Sequence, residues 1–147
     1  MSEPPSAAHV VLFVCVANAG RSLMAESIFN AHPPRGWTAG SAGTAPAVVP
    51  NPRTEGMLRE IGLHLPLHPP RPLTIEAARS AQRVVTMGCL TDASCPAHLK
   101  QIPTEDWGLD DPARLDDDGF RRVRDEIGRR VAALVAELER SGPAGPA

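Results

Sequence analysis

Cys15 and Arg21 stand where a predicted strand gives way to a predicted helix. An apolar, mostly β-branched run over residues 10–14 ends at Cys15, and after Arg21 apolar residues recur at helical spacing. Backbone N–H groups at a helix N-terminus, helped by a guanidinium that grips two oxygens, bind phosphate-like anions. The same positive field favours the thiolate form of a cysteine, which is its nucleophilic form. The sequence therefore predicts that Cys15 is a nucleophile facing a tetrahedral oxyanion.

The loop that joins these two residues is the predicted oxyanion site. Asn18 tolerates left-handed backbone and its amide can brace the loop, while the Ser22 hydroxyl can hydrogen-bond the thiolate. A cysteine and an arginine at this spacing are a weak signal alone, and the alternative makes Cys15 a small core residue and Arg21 a surface cation. The position of the loop between a buried strand and a helix favours the anion site. The residues expected to bind the oxyanion are Val16, Ala17, Asn18, Ala19, Gly20, Arg21 and Ser22.

The rest of the chain alternates strand patterns with helix patterns. Strands are predicted over residues 10–15, 37–42 and 83–87, with a possible fourth over 105–109. Such alternation is typical of an α/β domain whose parallel sheet is covered by helices on both faces. In such folds ligands bind beyond the carboxyl ends of the strands, which is where Cys15 stands.

Three helices are predicted besides the one that follows Arg21. Asn51 is expected to cap a helix that Gly62 ends, and Thr74 is expected to cap the next helix. Over residues 119–140 apolar residues recur every three or four positions, which is the pattern of a long amphipathic helix.

Length and composition favour a single globular domain. The 147 residues carry a formal net charge of -2 without a concentrated basic face, which argues against a nucleic-acid partner. No apolar run is long enough to cross a bilayer, and the N-terminus lacks the pattern of a signal peptide, so we expect a cytoplasmic protein with no membrane partner. We expect one domain over residues 1–147, ordered over about residues 9–140, with frayed tails.

Three segments resemble the low-molecular-weight protein tyrosine phosphatase fold. The sequence VLFVCVANAGRSLMAE at 11–26 resembles the signature of that family. The sequence SAGT at 41–44 resembles its second strand and following turn, and WGLDDP at 107–112 resembles its general-acid loop. The resemblance implies a three-layer α/β sandwich, in which a four-stranded parallel sheet has helices on both faces.

The same resemblance implies the roles of three side chains. Cys15 would be the nucleophile, Arg21 would hold the oxyanion and Asp111 would be the general acid. Asp111 is preferred to Asp110 because it directly precedes Pro112, as in the family. An aspartate before proline is also a common turn former, so that alternative stays open.

Two further cysteines follow the third predicted strand. Cys89 emerges from a parallel sheet at the same edge as Cys15, and Cys95 lies on a loop long enough to bend back to Cys89. The sequences TMGC at 86–89 and CP at 95–96 are similar to those of thioredoxin-coupled arsenate reductases built on the phosphatase fold.

This second resemblance implies a relay of three thiols. Cys15 attacks arsenate, Cys89 attacks the sulfur of Cys15 and expels arsenite, and Cys95 then attacks Cys89. Thioredoxin would reduce the final disulfide, and no bound cofactor is expected. Similar reductases that use mycothiol can dispense with the internal pair, so Cys89 and Cys95 favour thioredoxin as the external reductant.

Two other interpretations of Cys89 and Cys95 involve no redox chemistry. They could be two inert thiols near a strand end. A zinc site with His98 lacks the usual ligand spacing and a fourth ligand, so no metal is expected. Some reductases of this fold bind potassium, but His64 stands where an acidic ligand is expected, and potassium stays unassigned. His68, like the other histidines, has no partner that the sequence identifies.

Two other functions stay open at this point. A low-molecular-weight protein tyrosine phosphatase would need neither Cys89 nor Cys95. The sequence APAVVP at 45–50 contains no aromatic residue, and Ala113 stands where many of these phosphatases carry tyrosine, so a small inorganic substrate such as arsenate fits better. A non-catalytic oxyanion sensor would have no need of Asp111.

Overall fold

A four-stranded parallel sheet forms the centre of the protein, in a computed structural model that describes residues 9–88 and 102–141. The strands are β1 (His9–Cys15), β2 (Trp37–Gly43), β3 (Arg83–Thr86) and β4 (Glu105–Asp106). They lie in the order β2-β1-β3-β4, and each neighbouring pair is parallel. The predicted parallel sheet is therefore confirmed, and the strand that ends at Cys15 lies in its interior.

Helices cover both faces of the sheet, as predicted. They are α1 (Arg21–Ala31), α2 (Thr54–Arg59), α3 (Ile75–Ser80) and α4 (Asp117–Arg140). A short 3-10 turn, Pro112–Arg114, precedes α4. The three-layer α/β sandwich follows from this arrangement.

Alternate side chains of β1 enter opposite layers of the sandwich. Phe13 and Cys15 belong to the large buried cluster that α1 and α4 cover. Leu12 and Val14 point the other way and pack in a smaller cluster with Ala78 of α3. Because successive side chains of a strand alternate between faces, burial on both sides explains why residues 10–14 are uninterruptedly apolar.

The fourth strand is shorter than the predicted 105–109. Regular strand structure ends at Asp106, because Gly108 adopts a left-handed backbone with φ of 61°. The amides of Trp107 and Leu109 nevertheless donate to carbonyl oxygens at and just after the end of β3, at 2.9 and 3.0 Å. The chain therefore stays beside β3 until it reaches the predicted acid loop.

The starts of α2 and α3 test the predicted caps. Thr74 caps α3 as expected, since its hydroxyl oxygen accepts a hydrogen bond from the amide of Ala77 at 3.0 Å. The prediction that Asn51 caps α2 is wrong. Its side-chain oxygen accepts from the amide of Arg53 at 2.9 Å, and this local turn delays the helix until Thr54.

Helix α4 is the long amphipathic helix that the sequence predicted. It begins at Asp117, before the expected start at residue 119, because the Asp116 carboxylate accepts from the amide of Gly119 at 2.8 Å and caps it. Neither α4 nor any other helix within residues 9–88 and 102–141 is long and apolar enough to cross a bilayer.

The predicted tails of the chain lie almost entirely outside the described residues. Of the two predicted frayed tails, 1–8 and 141–147, the structure describes Ser141 alone. A single domain over residues 1–147 therefore stays a prediction.

Glu60 joins the end of α2 to α4. Its carboxylate accepts hydrogen bonds from Arg121 at 2.9 Å and from Arg124 at 2.6 Å. Arg124 also donates to the carbonyl of Met57 at 3.1 Å, so the two helices are tied through one guanidinium. The hydrogen bonds from Arg121 and then Arg124 lower the pKa of Glu60 from 4.5 to about 2.

We predict that Glu60→Gln destabilises the protein at neutral pH and that this loss disappears in acid. The folded-state pKa of Glu60 is lowered, so its contribution is fully present above pH 4.5 and is lost as the pH falls toward about 2. The measurement is the free energy of unfolding in urea at several pH values. Glu139→Gln, at an exposed site of α4, is the control. A difference between wild type and Glu60→Gln that stayed constant below pH 4.5 would contradict the linkage.

Candidate active site

Cys15 lies at the carboxyl end of β1 with two hydrogen-bonding groups against its sulfur. The Ser22 hydroxyl is 2.9 Å from Sγ, and the amide of Asn18 donates to Sγ at 3.2 Å. Only 2% of the residue is exposed to solvent. A negative charge on this sulfur is therefore stabilised by donors that the fold already holds in place.

The loop after Cys15 turns its carbonyl groups outward. Those of Cys15, Val16, Ala17 and Ala19 accept hydrogen bonds from the amides of Thr44, Ala45, Ala47 and Asn51, respectively, at 2.8–3.1 Å. The N–H groups on the inner side of the loop, in contrast, are left without acceptors among the described residues. In the part of the chain that the structure describes, no hydrogen bond is donated by the backbone N–H groups of Val16, Ala17, Ala19 and Gly20. The loop thus offers several donors to an anion at the start of α1.

Asn18 is the residue that fixes this loop. Its backbone is left-handed, with φ of 51°, as the sequence allowed. Its side-chain amide donates to the hydroxyls of Ser22 at 2.7 Å and Ser41 at 3.0 Å, and its carbonyl oxygen accepts from the amide of Arg71 at 3.0 Å. Because the Ser22 oxygen already accepts from Asn18, its own proton is free to face Cys15.

A buried carboxylate continues this network away from the thiol. Ser41 donates to Glu26 at 2.6 Å, and Nε2 of His68 lies 2.9 Å from the same carboxylate. Nδ1 of His68 is 2.7 Å from the carbonyl of Pro69, and since a carbonyl only accepts, this nitrogen donates. His68 is therefore held at both ring nitrogens and gives the buried carboxylate a hydrogen-bonding partner inside the protein. No local pattern indicates the partner of His68, because 42 positions separate the two residues.

Arg21 is buried and reaches across to the predicted acid loop. One guanidinium nitrogen donates to the carbonyl of Leu109 at 2.9 Å, and another lies 3.8 Å from the Asp111 carboxylate. Only 5% of Arg21 is exposed, so the alternative that made it a surface cation is wrong. The oxyanion loop and the acid loop are joined through this one side chain.

Asp111 faces the same site, whereas Asp110 does not line it. The Asp111 side chain is half exposed, and one of its oxygens accepts from the amide of Ala113 at 3.0 Å. Asp111 thus begins the 3-10 turn as well as lining the cavity, so both of its expected roles fit its position. Asp110 lines a separate hollow beside α4.

The cavity above Cys15 is small. Its volume is about 130 Å³, well below the roughly 300–1,000 Å³ of sites for drug-sized ligands. The wall on the acid-loop side is formed by Pro112, Ala113 and Phe120. Such a cavity suits a small tetrahedral anion. The residues that line it are Cys15, Val16, Ala17, Ala19, Gly20, Arg21, Asn51, Asp111, Pro112, Ala113 and Phe120.

Cys89 and Cys95 lie outside the described residues. The first described range ends at Gly88, two residues after β3. Strand β3 pairs in parallel with β1. Thr86 at the end of β3 pairs with Val14, the residue before Cys15. The chain therefore leaves the sheet toward Cys89 at the edge that carries the nucleophile. Among the described residues, no group of histidine, cysteine, aspartate and glutamate side chains is arranged to hold a metal ion.

Comparison with known proteins gives the class to which this fold and site correspond. The family model for low molecular weight phosphotyrosine protein phosphatase matches residues 10–144, and the chain belongs to this family. Arsenate reductase 1 of Staphylococcus epidermidis is 35% identical over 117 residues, which cover 80% of this chain and 88% of that protein.

Two solved structures superpose on the chain. The thioredoxin-dependent arsenate reductase of Corynebacterium glutamicum has a TM-score of 0.75 and 31% identity, covering 92% of this chain. This chain spans only 64% of that structure's length. A low molecular weight protein tyrosine phosphatase from T. tengcongensis also has a TM-score of 0.75, with 26% identity over 88% of this chain and 99% of that one.

Gly43, at the end of β2, supports the oxyanion loop from behind. A Cβ at this position would lie 2.5 Å from the carbonyl oxygen of Val16 and 3.0 Å from the backbone nitrogen of Asn18. Both are backbone atoms, so the loop would have to move. A Cβ at Gly40 of the same strand would meet mainly the end of the Arg71 side chain, at 3.3 Å.

We predict that Gly43→Ala weakens the binding of inorganic phosphate by about tenfold, because the displaced loop no longer aims its N–H groups at the anion. Titration calorimetry of the reduced protein gives the affinity. Gly40→Ala, the matched control, keeps the wild-type value. Equal affinities for the two variants would show that the close approach of Gly43 does not shape the site.

Proposed function

We propose that this protein is a single-domain, cytoplasmic arsenate reductase that uses Cys15, Cys89 and Cys95 in turn and is recycled by thioredoxin. The observation that carries the proposal is the small cavity of about 130 Å³, in which Cys15, Arg21 and Asp111 meet. Arsenate has the shape and charge for which such a cavity is built. Relatives named arsenate reductase support the same substrate.

The first step uses residues that the structure describes. The Cys15 thiolate attacks the arsenic atom of arsenate, held by the loop N–H groups and by Arg21. An S–As bond forms, an As–O bond breaks, and Asp111 donates the proton with which the oxygen leaves as water. Asp111 is suited to this role because it lines the cavity and is half exposed, so solvent can return its proton.

The second step reduces the arsenic. The Cys89 thiolate attacks the Cys15 sulfur, an S–S bond forms and the electron pair of the S–As bond passes to arsenic, which leaves as arsenite. Cys95 then attacks Cys89, so the disulfide moves to Cys89 and Cys95 and the Cys15 thiolate is released. A thioredoxin dithiol supplies the two electrons that reduce this disulfide. Placement of β3, the strand that leads to Cys89, beside β1 supports the attack of Cys89 on Cys15.

A phosphatase is the second candidate function. The family match and the site both favour it, because Cys15, Arg21 and Asp111 suffice to form and hydrolyse a phosphocysteine. Among the described residues that line the cavity Phe120 is the one aromatic side chain, and Ala113 stands where many of these phosphatases carry tyrosine, so an aryl phosphate is not the favoured substrate. A non-catalytic sensor is the least favoured candidate, since it would have no use for a carboxyl group in the cavity.

We predict that three serine variants separate these functions. With thioredoxin, thioredoxin reductase and NADPH, Cys15→Ser, Cys89→Ser and Cys95→Ser each lower arsenate-dependent NADPH oxidation by about a hundredfold or more. Without thioredoxin, Cys95→Ser still releases one arsenite per protein and retains a Cys15–Cys89 disulfide, whereas Cys89→Ser releases none. Hydrolysis of an aryl phosphate, measured in parallel, is lost only in Cys15→Ser.

Each alternative gives a different result in these assays. Full arsenate turnover in both Cys89→Ser and Cys95→Ser would refute the relay. Turnover of the aryl phosphate alone would identify a phosphatase, and arsenate binding without turnover of either substrate would identify a sensor. Replacing thioredoxin by mycothiol or glutaredoxin in the same assay tests the reductant.

A further inference from the structure

Arg53 holds the acid loop through several backbone carbonyls. One of its guanidinium nitrogens donates to the carbonyl of Leu115 at 2.9 Å, and the other donates to those of Pro112 at 3.2 Å and Ala113 at 3.4 Å. The first nitrogen also lies 3.1 Å from the Asp117 carboxylate. A planar guanidinium with five donors can grip several carbonyls at once, which a lysine ammonium does less well.

The same guanidinium stacks on a wall of the active-site cavity. It lies 4.8 Å from the centre of the Phe120 ring, and Phe120 is fully buried and lines the cavity. Arg53 itself does not line the cavity. It therefore acts on the site through other residues, without touching a bound anion.

The residue next to Arg53 holds the opposite side of the site. The Thr54 hydroxyl, which is fully buried, donates to the carbonyl of Ala19 in the oxyanion loop at 2.8 Å. The amide of Asn51 donates to the same carbonyl at 3.0 Å. Two adjacent residues at the start of α2 therefore bind both loops: Thr54 donates a hydrogen bond to the oxyanion loop, and Arg53 donates to the acid loop.

Asp111 needs such support because its own contacts are few. Its carboxylate accepts from Ala113 and lies at 3.8 Å, outside hydrogen-bonding distance, from Arg21. The side chain is half exposed, so packing does not fix it. Its position above Cys15 therefore depends on the backbone on either side of it. Arg21 holds the preceding Leu109 through its carbonyl, and Arg53 holds the backbone that follows.

We propose that Arg53 is a positioning residue, which fixes the acid loop to α2 and so sets the place of Asp111 relative to Cys15. This inference rests on the role of Asp111 as general acid in the proposed function. The reaction slows steeply when its general acid is misplaced. We therefore expect roughly a tenfold to hundredfold fall in kcat when Arg53 is removed, with little change in KM. The affinity for the anion should persist, because Thr54 still holds the oxyanion loop.

A double-mutant cycle tests this role. Arg53→Met, Asp111→Asn and the double variant are compared with wild type by kcat and KM for arsenate reduction. If Arg53 acts through Asp111, Arg53→Met lowers kcat in the wild-type background and changes it little in the Asp111→Asn background. A purely structural role lowers kcat by the same factor in both backgrounds, and that result would overturn the proposal.

Control variants keep the interpretation clear. Arg59→Met removes an exposed arginine at the end of α2, which pairs with Glu55, and it leaves kcat unchanged. Arg53→Lys restores part of the rate, because a lysine can reach some of the carbonyls but lacks the planar fork. If Arg53→Met fails to fold, as judged by its melting temperature, the cycle is run with Arg53→Lys instead.

Failure of this inference is distinguishable from failure of the proposed function. Should wild type hydrolyse an aryl phosphate and leave arsenate unreduced, the proposed function is wrong, and the same cycle on the phosphate still tests Arg53, because that reaction also needs Asp111. Wild-type kcat in Asp111→Asn would overturn both the acid role and the positioning role. Activity of wild type toward neither substrate would likewise overturn the inference.

Discussion

The oxyanion loop can turn its N–H groups inward only because its carbonyl oxygens are occupied on the outside. Amides of the segment that follows β2 take four of those carbonyls in succession, and the Thr54 hydroxyl adds a second donor to the carbonyl of Ala19. Buried backbone groups must find partners, so the outer hydrogen bonds force one orientation on the whole loop. The position of Cys15, the left-handed turn at Asn18 and the start of α1 all depend on this attachment.

Buried charged side chains also constrain the geometry of the site. Glu26 and Arg21 are both almost fully buried, and an unpaired charge in such a place costs several kcal/mol in typical proteins. Glu26 is paired with His68 and accepts a hydrogen bond from Ser41, and Arg21 donates to the carbonyl of Leu109. Ser41 also accepts from the Asn18 side chain, so these hydrogen bonds hold Asn18 and the Arg21 guanidinium in place before an anion arrives.

The acid loop is built by different means. Trp107, buried against Phe13 with ring centres 5.6 Å apart, anchors its beginning to the core, and Arg53 holds its end to α2. Between these anchors the Asp111 side chain remains half exposed to solvent. The first half of the chemistry, attack of Cys15 on a tetrahedral anion, is common to a phosphatase and a reductase. The two activities diverge only at the second thiol, which is why variants of Cys89 and Cys95 separate them.

The sequence by itself determined the local features: the buried strand that ends at Cys15, the loop to Ser22, the Thr74 cap and the amphipathic helix α4. Each is encoded by neighbouring residues, through periodicity, caps and turns. The sequence could not pair His68 with Glu26, nor could it reveal the contacts that Arg53 makes with the acid loop. Those features join residues far apart in the chain, such as Arg21 and Leu109 at a separation of 88 positions, and local pattern carries no information about such contacts. Only the tertiary structure decided them, because a buried charge or carbonyl takes whichever partner the packing brings within hydrogen-bonding distance.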